Sequence, residues 1–161
     1  MADDDEYHSW VRSALPALRR LAYVLCQDGH RADDLVQNAL VTLYLSWDRV
    51  RVNRDAYART VLVRVFLGER RAGWARRVVL VDHVPEVAVG APEAADGVAL
   101  RAALAALPPK QRAALVLRYY ADLSVDETAA ALGCPPNTVK SHTARGLAAL
   151  RRALPEEVVQ R

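Results

Sequence analysis

Residues 124–136 carry three pieces of local chemistry that leave the surrounding chain little choice of fold. Ser124-Val125-Asp126-Glu127 reads as a capping box: the Ser hydroxyl accepts from the Glu127 N–H, and the Glu127 carboxylate accepts from the Ser124 N–H. That fixes a helix start at Val125. Gly133 stands where a left-handed residue ends a helix, and Pro136 suits the first turn of another, running to about Ala153. A short helix, a turn containing Gly and a second helix make the helix-turn-helix plan. Ala129 is small enough to let the two helices approach, and with Leu132, Val139 and Leu147 it can form one miniature core.

The other face of the second helix presents Asn137, Thr138, Lys140, Ser141, His142 and Arg145. These are donors of the kind that reach base edges and phosphates from a helix N-terminus lying in the major groove. Arg118, one helix earlier, could hold a phosphate. The bland alternative is a helical hairpin with a solvated polar face. A single helix-turn-helix is a modest anchor and ordinarily needs a dimer or a second DNA contact.

The chain upstream can supply one. Apolar residues recur at helical spacing from Tyr7 to Gln27, behind an acidic tail at residues 1–6. Pro16 is expected to divide that run. After an Asp28-Gly29 turn, a second helix runs from about Arg31 to Trp47, with Asp33 and Asp34 in its first turn. It is apolar over more than one face, so it is either a central core helix or one with a surface for a partner. Asn53 is a fair N-cap for a third helix, Arg54 to about Ala72, with Val61, Leu62, Val65 and Phe66 inward and Arg59, Arg64, Arg70 and Arg71 outward. The net charge of +3 says little. Its distribution says more: Arg49–Arg77 holds nine Arg against Asp55 and Glu69. Tyr57 and Trp74 lie in the same block, and aromatics among arginines suit unstacked bases, although Tyr57 would serve equally well as a core residue.

Val78 to Leu100 contains no Lys or Arg, only Asp82, Glu86, Glu93 and Asp96, and is broken by Pro85, Gly90, Pro92 and Gly97. Residues 78–97 are therefore expected to be a flexible acidic linker between domains at 1–77 and 98–161. Val98 to Leu107 reads as a helix stopped by Pro108-Pro109, followed by another from Gln111 to Tyr120. Ala, Leu and Arg dominate and aromatics are 6%, so the expected class is all-α: two small helical domains on one tether. Cys26 and Cys134 are too few for a disulfide framework, and Cys26 with His30 makes only a lone pair of potential ligands, so neither a metal nor a cofactor is expected. The acidic start and the longest uncharged helical run, Leu35–Trp47, suggest a soluble protein of the cytoplasm. No phosphate loop or nucleophile–base pair points to an enzyme.

Asp33-Asp34-Leu35-Val36-Gln37, continued to Trp47, resembles the polymerase-binding helix of extracytoplasmic-function (group IV) RNA polymerase sigma factors. Leu107-Pro108-Pro109-Lys110-Gln111-Arg112, Leu117-Arg118-Tyr119-Tyr120, Leu132-Gly133 and Asn137-Thr138-Val139-Lys140-Ser141-His142 resemble their region four, with Ala144-Arg145-Gly146-Leu147 closest to short actinobacterial members. The resemblance covers about residues 8–77 and 98–153.

It implies a non-catalytic factor that binds core RNA polymerase and directs promoter recognition and transcription initiation. Asp34 and Gln37, with Leu40 and Tyr44, would dock on the β′ clamp. The connector carrying Arg51, Asn53 and Arg54 would capture a flipped base of the minus-ten element, and the helix bearing Tyr57, Arg59 and Arg64 would read it and help open the duplex. The linker would pass through the polymerase channels, and region four would bind the β flap and read the minus-thirty-five element. An anti-sigma factor is the further partner such proteins often have. Pro135 departs from the pattern, standing where many relatives have a Ser cap. An ordinary helix-turn-helix regulator shares the C-terminal motif but does not account for the Asp34–Trp47 helix beside a basic aromatic segment.

Overall fold

The computed structural model describes residues 4–71 and 95–156, with side chains for 4–68 and 97–156. The regular elements of the described residues are all helices, joined by short loops, and fall into two compact units, one N-terminal and one C-terminal. Most of the expected linker, together with Trp74 and the side chains of Arg70 and Arg71, lies outside the described residues.

Three helices build the N-terminal unit: α1 (Asp4–Cys26), α2 (Gly29–Ser46) and α3 (Arg54–Arg71), each packed on the other two. Helix α1 is continuous, so the expected break at Pro16 does not occur. Pro16 and Arg12, whose carbonyl faces the missing N–H, are both exposed, which leaves that acceptor to water. Burial of Leu18, Leu21, Ala22 and Leu25 along the opposite stripe holds the helix together across the defect, each large side chain contributing about 1.5–3 kcal/mol. The helix also begins earlier than expected. Asp4, Asp5 and Glu6 form its first turn, where carboxylates suit the helix dipole, rather than a frayed tail.

Asp28 caps α2, its side chain accepting from the N–H groups of His30 (3.0 Å) and Arg31 (3.4 Å). The helix therefore starts at Gly29, and Asp33 and Asp34 lie beyond its first turn. Ala32, Leu35, Val36, Ala39 and Leu43 of α2 and Ala58, Val61, Leu62, Val63 and Phe66 of α3 are buried in the core of the three-helix unit. A single 3₁₀ turn, Trp47–Arg49, follows α2 and buries the Trp47 ring. Asn53 caps α3 as expected, accepting from the Ala56 N–H.

In the C-terminal unit, α4 (Ala95–Ala106) starts ahead of the expected Val98, so residues 95–97 are helical rather than linker. Its C-terminal carbonyls meet Arg112 of α5 (Pro109–Leu115). Arg112 is only 1% exposed and donates to the carbonyls of Leu104 (2.8 Å), Ala105 (2.7 Å) and Leu107 (3.0 Å). Positive charge at a helix C-terminus, with charge-assisted bonds, offsets its desolvation. Helix α5 widens into a π-helical turn, Val116–Tyr120, closed by Ala121 N–H to Val116 O at 2.9 Å.

Helix α6 (Val125–Leu132) opens with both bonds of the expected capping box, and Gly133 ends it at φ 67°. Helix α7 (Pro136–Ala153) follows, with Pro136 at its first position and no side-chain cap from Pro135. Val139 is fully buried and Ala129 buried, whereas Leu132 and Leu147 are half-buried. The core of this unit is larger than the miniature one read from the motif, because Ala113–Leu117 of α5 and its π turn complete it. Gly146 lets α7 approach α5 closely: a Cβ there would stand 2.8 Å from Leu115 Cδ1.

Candidate nucleic-acid interface

With Val139 locked inward, helical geometry turns Asn137, Lys140, Ser141 and Arg145 outward, and all four are exposed. Thr138 and His142 sit half-buried at the edge of this face. At the helix start Pro135 and Pro136 carry no N–H and Pro135 O accepts from Thr138 and Val139, which leaves the Asn137 N–H as the backbone donor the first turn can add. The surface is thus a short row of donors at the N-terminal end of a helix held rigidly from behind, which is what reading the major groove requires. Partial burial, with the Lys110 and Arg145 cations nearby, holds the His142 imidazole below its ordinary range. It is a neutral edge to the row at pH 7 and a third positive group when protonated. Arg118 is differently employed: its Nη1 donates to Leu123 O at 2.5 Å and closes the loop ahead of α6.

The N-terminal unit presents two surfaces. On α2, Asp34 and Gln37 are exposed and continue along one face into Val41 (59% exposed), Tyr44 and Leu45 (74%). Leu40 belongs elsewhere: it is half-buried and its carbonyl accepts from Tyr7 Oη at 2.7 Å. Val41 and Leu45 lie within the broad apolar pattern of the expected Arg31–Trp47 helix, which does not distinguish them from its core residues. The signal is present, since apolar residues on the face of Asp34 and Gln37 cannot also face the core, and only the rotational setting of α2 is lacking.

The second surface is the loop between the 3₁₀ turn and α3. Arg51 and Asn53 are exposed, as is Val52 between them. Asn53 has φ 54°, the left-handed region that Asn tolerates better than most residues. Arg54 is turned back onto the protein: Nε donates to Val50 O at 2.7 Å, the guanidinium lies 3.7 Å from the Trp47 ring centroid, and Nη1 pairs with Glu6 at 2.5 Å. Tyr57 and Arg59 are half-buried on α3, and Arg64 is exposed. Further aromatic contacts tie α1 to this corner, with Tyr7 meeting Tyr44 and Trp47 edge-on and Trp10 Nε1 donating to Asp55.

Cys26 is buried, its Sγ donating to Ala22 O, and burial pushes the thiol up to about 11. Among the described residues no cluster of His, Cys, Asp and Glu could hold a metal ion, and no helix is long and apolar enough to cross a membrane.

Comparison with known proteins follows the same division. The sigma-70 region 2 profile matches residues 10–76 and the sigma-70 region 4 profile matches residues 97–150. The RNA polymerase sigma-E factor of Streptomyces avermitilis is 40% identical over 156 residues, covering 92% of this chain and 85% of that protein. The ECF RNA polymerase sigma factor SigM of Mycobacterium tuberculosis is 30% identical over 139 residues, covering 85% and 71%. Among solved structures, the sigma factor RpoE of Bartonella quintana, in complex with the anti-sigma factor NepR, superposes with a TM-score of 0.69 at 26% identity, covering 92% of this chain and 96% of that one. An interior that turns an α7 donor row and an α2 strip outward, within a chain of this descent, places it in one group: the chain belongs to the extracytoplasmic-function family of RNA polymerase sigma factors.

Proposed function

We propose that this chain binds core RNA polymerase, reads the minus-thirty-five element with α7 and the minus-ten element with the loop and α3, and so starts transcription at its own set of promoters. The observation that carries this is the α7 face, where Asn137, Lys140, Ser141 and Arg145 are exposed together while Val139 fixes the helix from behind. Thr138 and His142 extend the contact at its edge, and Arg118 supports it by holding the loop before α6. In the N-terminal unit Asp34, Gln37 and Tyr44, with Val41 and Leu45, form the face that docks on the β′ clamp, and half-buried Leu40 supports it from its edge. Arg51, Asn53 and Arg54 form the loop that takes a flipped base, whose unstacking costs a few kcal/mol. Tyr57, Arg59 and Arg64 line the helix beyond it.

The domain organisation belongs to the same proposal: residues 1–77 and 98–161 act as separate DNA-contacting domains joined by the acidic stretch, and the second also meets the β flap. The factor transfers no group itself, because the chemistry is the polymerase's, and it works in the cytoplasm where that enzyme is. An anti-sigma factor is a further partner, since RpoE of Bartonella quintana is held by one.

Transcription by core polymerase on a promoter library tests the whole reading. Wild-type protein should select two separated sequence elements. Lys140→Ala should weaken upstream binding across all sequences, and Arg145→Ala should relax selection at particular bases, at a cost of about 1–3 kcal/mol for a base contact. Unchanged selection by both variants would remove α7 from the role given to it.

A further inference from the structure

The loop offered to the minus-ten element is short, exposed and irregular, yet it must hold its shape to discriminate one base from another. Its tip, Val52, is 85% exposed, and Arg51 and Asn53 on either side project from the surface as well. Asn53 spends its side-chain carbonyl on the α3 cap, accepting from the Ala56 N–H at 3.3 Å. The hydrogen bonds that close the loop come from elsewhere. Val50 N–H reaches Trp47 O at 3.3 Å, and Arg54 Nε donates to Val50 O at 2.7 Å, joining the two ends of the loop. The Arg54 guanidinium lies on the buried Trp47 ring, and its Nη1 pairs with Glu6 in the first turn of α1. One planar side chain therefore links three places: the start of the loop, the floor beneath it and a helix distant in sequence.

We propose that Arg54 is a positioning residue that staples the base-capture loop, with Glu6 as its fixed counter-ion and Trp47 as its platform, and that Arg51, Val52 and Asn53 make the contacts to the base. The inference rests on reading this loop as the one that meets the minus-ten element. A phosphate contact would ask Arg54 for charge alone. The staple asks for planarity, an Nε donor and a second donor pointing elsewhere, which lysine cannot supply from one ammonium. Glu6 gives the first turn of α1 a part in the loop's shape, because its carboxylate fixes the direction in which the guanidinium plane lies.

Arg54→Lys and Glu6→Gln separate these roles in the full chain assembled with core polymerase, using a promoter library randomised in both elements and a titration of salt. The expected result for Arg54→Lys is a loss of about five- to tenfold in preference at one minus-ten position, with selection at the minus-thirty-five element intact and the salt slope unchanged. Glu6→Gln should shift the same position in the same direction, by less. Intact upstream selection shows that a variant is folded and bound to polymerase. The proposal is overturned if Arg54→Lys selects as wild type does, if Glu6→Gln tightens binding, or if Arg54→Gln lowers the salt slope by about one, the mark of a lost phosphate contact. A wild-type protein that selects no minus-ten sequence would sink the reading of the loop itself, which is a distinguishable failure.

Discussion

Arg112 takes a full positive charge into the C-terminal unit and satisfies three carbonyls at the end of α4. Arg112→Ala would leave those acceptors without their donor, and the expected loss is about 3 kcal/mol of stability, measured by urea unfolding at fixed pH. Arg112→Lys should restore less than half of it, because a single ammonium cannot meet carbonyls that diverge as these do. Wild-type stability in Arg112→Lys would mean that charge near the helix end, and not the forked geometry, holds the unit. None of this is legible in the sequence, where Arg112 is only a letter in a family string. Its role depends on where α4 ends, and that is a tertiary fact. The same holds for Arg54, which charge patterning places among the cations available to DNA. Ser124, Glu127 and Gly133 are legible because caps and left-handed stops act within a few residues of themselves.

Helices obey the same distinction between local and distant causes. The start of α6 and the first residue of α7 follow from neighbouring residues, and both match expectation. Pro16 misleads because propensity assigns an interior proline a cost of about 3 kcal/mol, while the buried stripe from Leu18 to Leu25 supplies more than that. For α2 the apolar pattern is too broad to orient the helix, so it cannot correct the docking set implied by the resemblance, which includes half-buried Leu40 where Val41 and Leu45 are the exposed pair. Val41→Glu and Leu45→Glu should each weaken association with core polymerase at least about tenfold, as truncating or charging an interface anchor does, and leave thermal unfolding unchanged. Leu40→Ala should show the reverse, lower stability with smaller change in binding. Pull-down titrations with core polymerase and thermal melts of the free protein decide this, and a Val41→Glu protein that binds normally would take the docking face away from this side of α2.

At the scale of the whole molecule, the arginine-rich block and the α7 donor row lie in different units, each with its own set of charges. If each grips its own stretch of promoter, the counterions released by the two contacts add, whereas a single composite surface would engage wholly or not at all. The logarithm of affinity falls with the logarithm of salt by about 0.9 per phosphate neutralised on duplex DNA and about 0.7 on single strands. Holoenzyme binding to DNA with only the upstream element, only the minus-ten element, or both should therefore give three slopes, the third close to the sum of the first two after subtracting the slope of core polymerase on the same DNA. The upstream slope should fall with Lys140→Ala and be indifferent to Arg64→Ala; the minus-ten slope should do the opposite. A slope equal on all three DNAs would mean that the charges act as one field around the polymerase and that the two units do not divide the promoter between them.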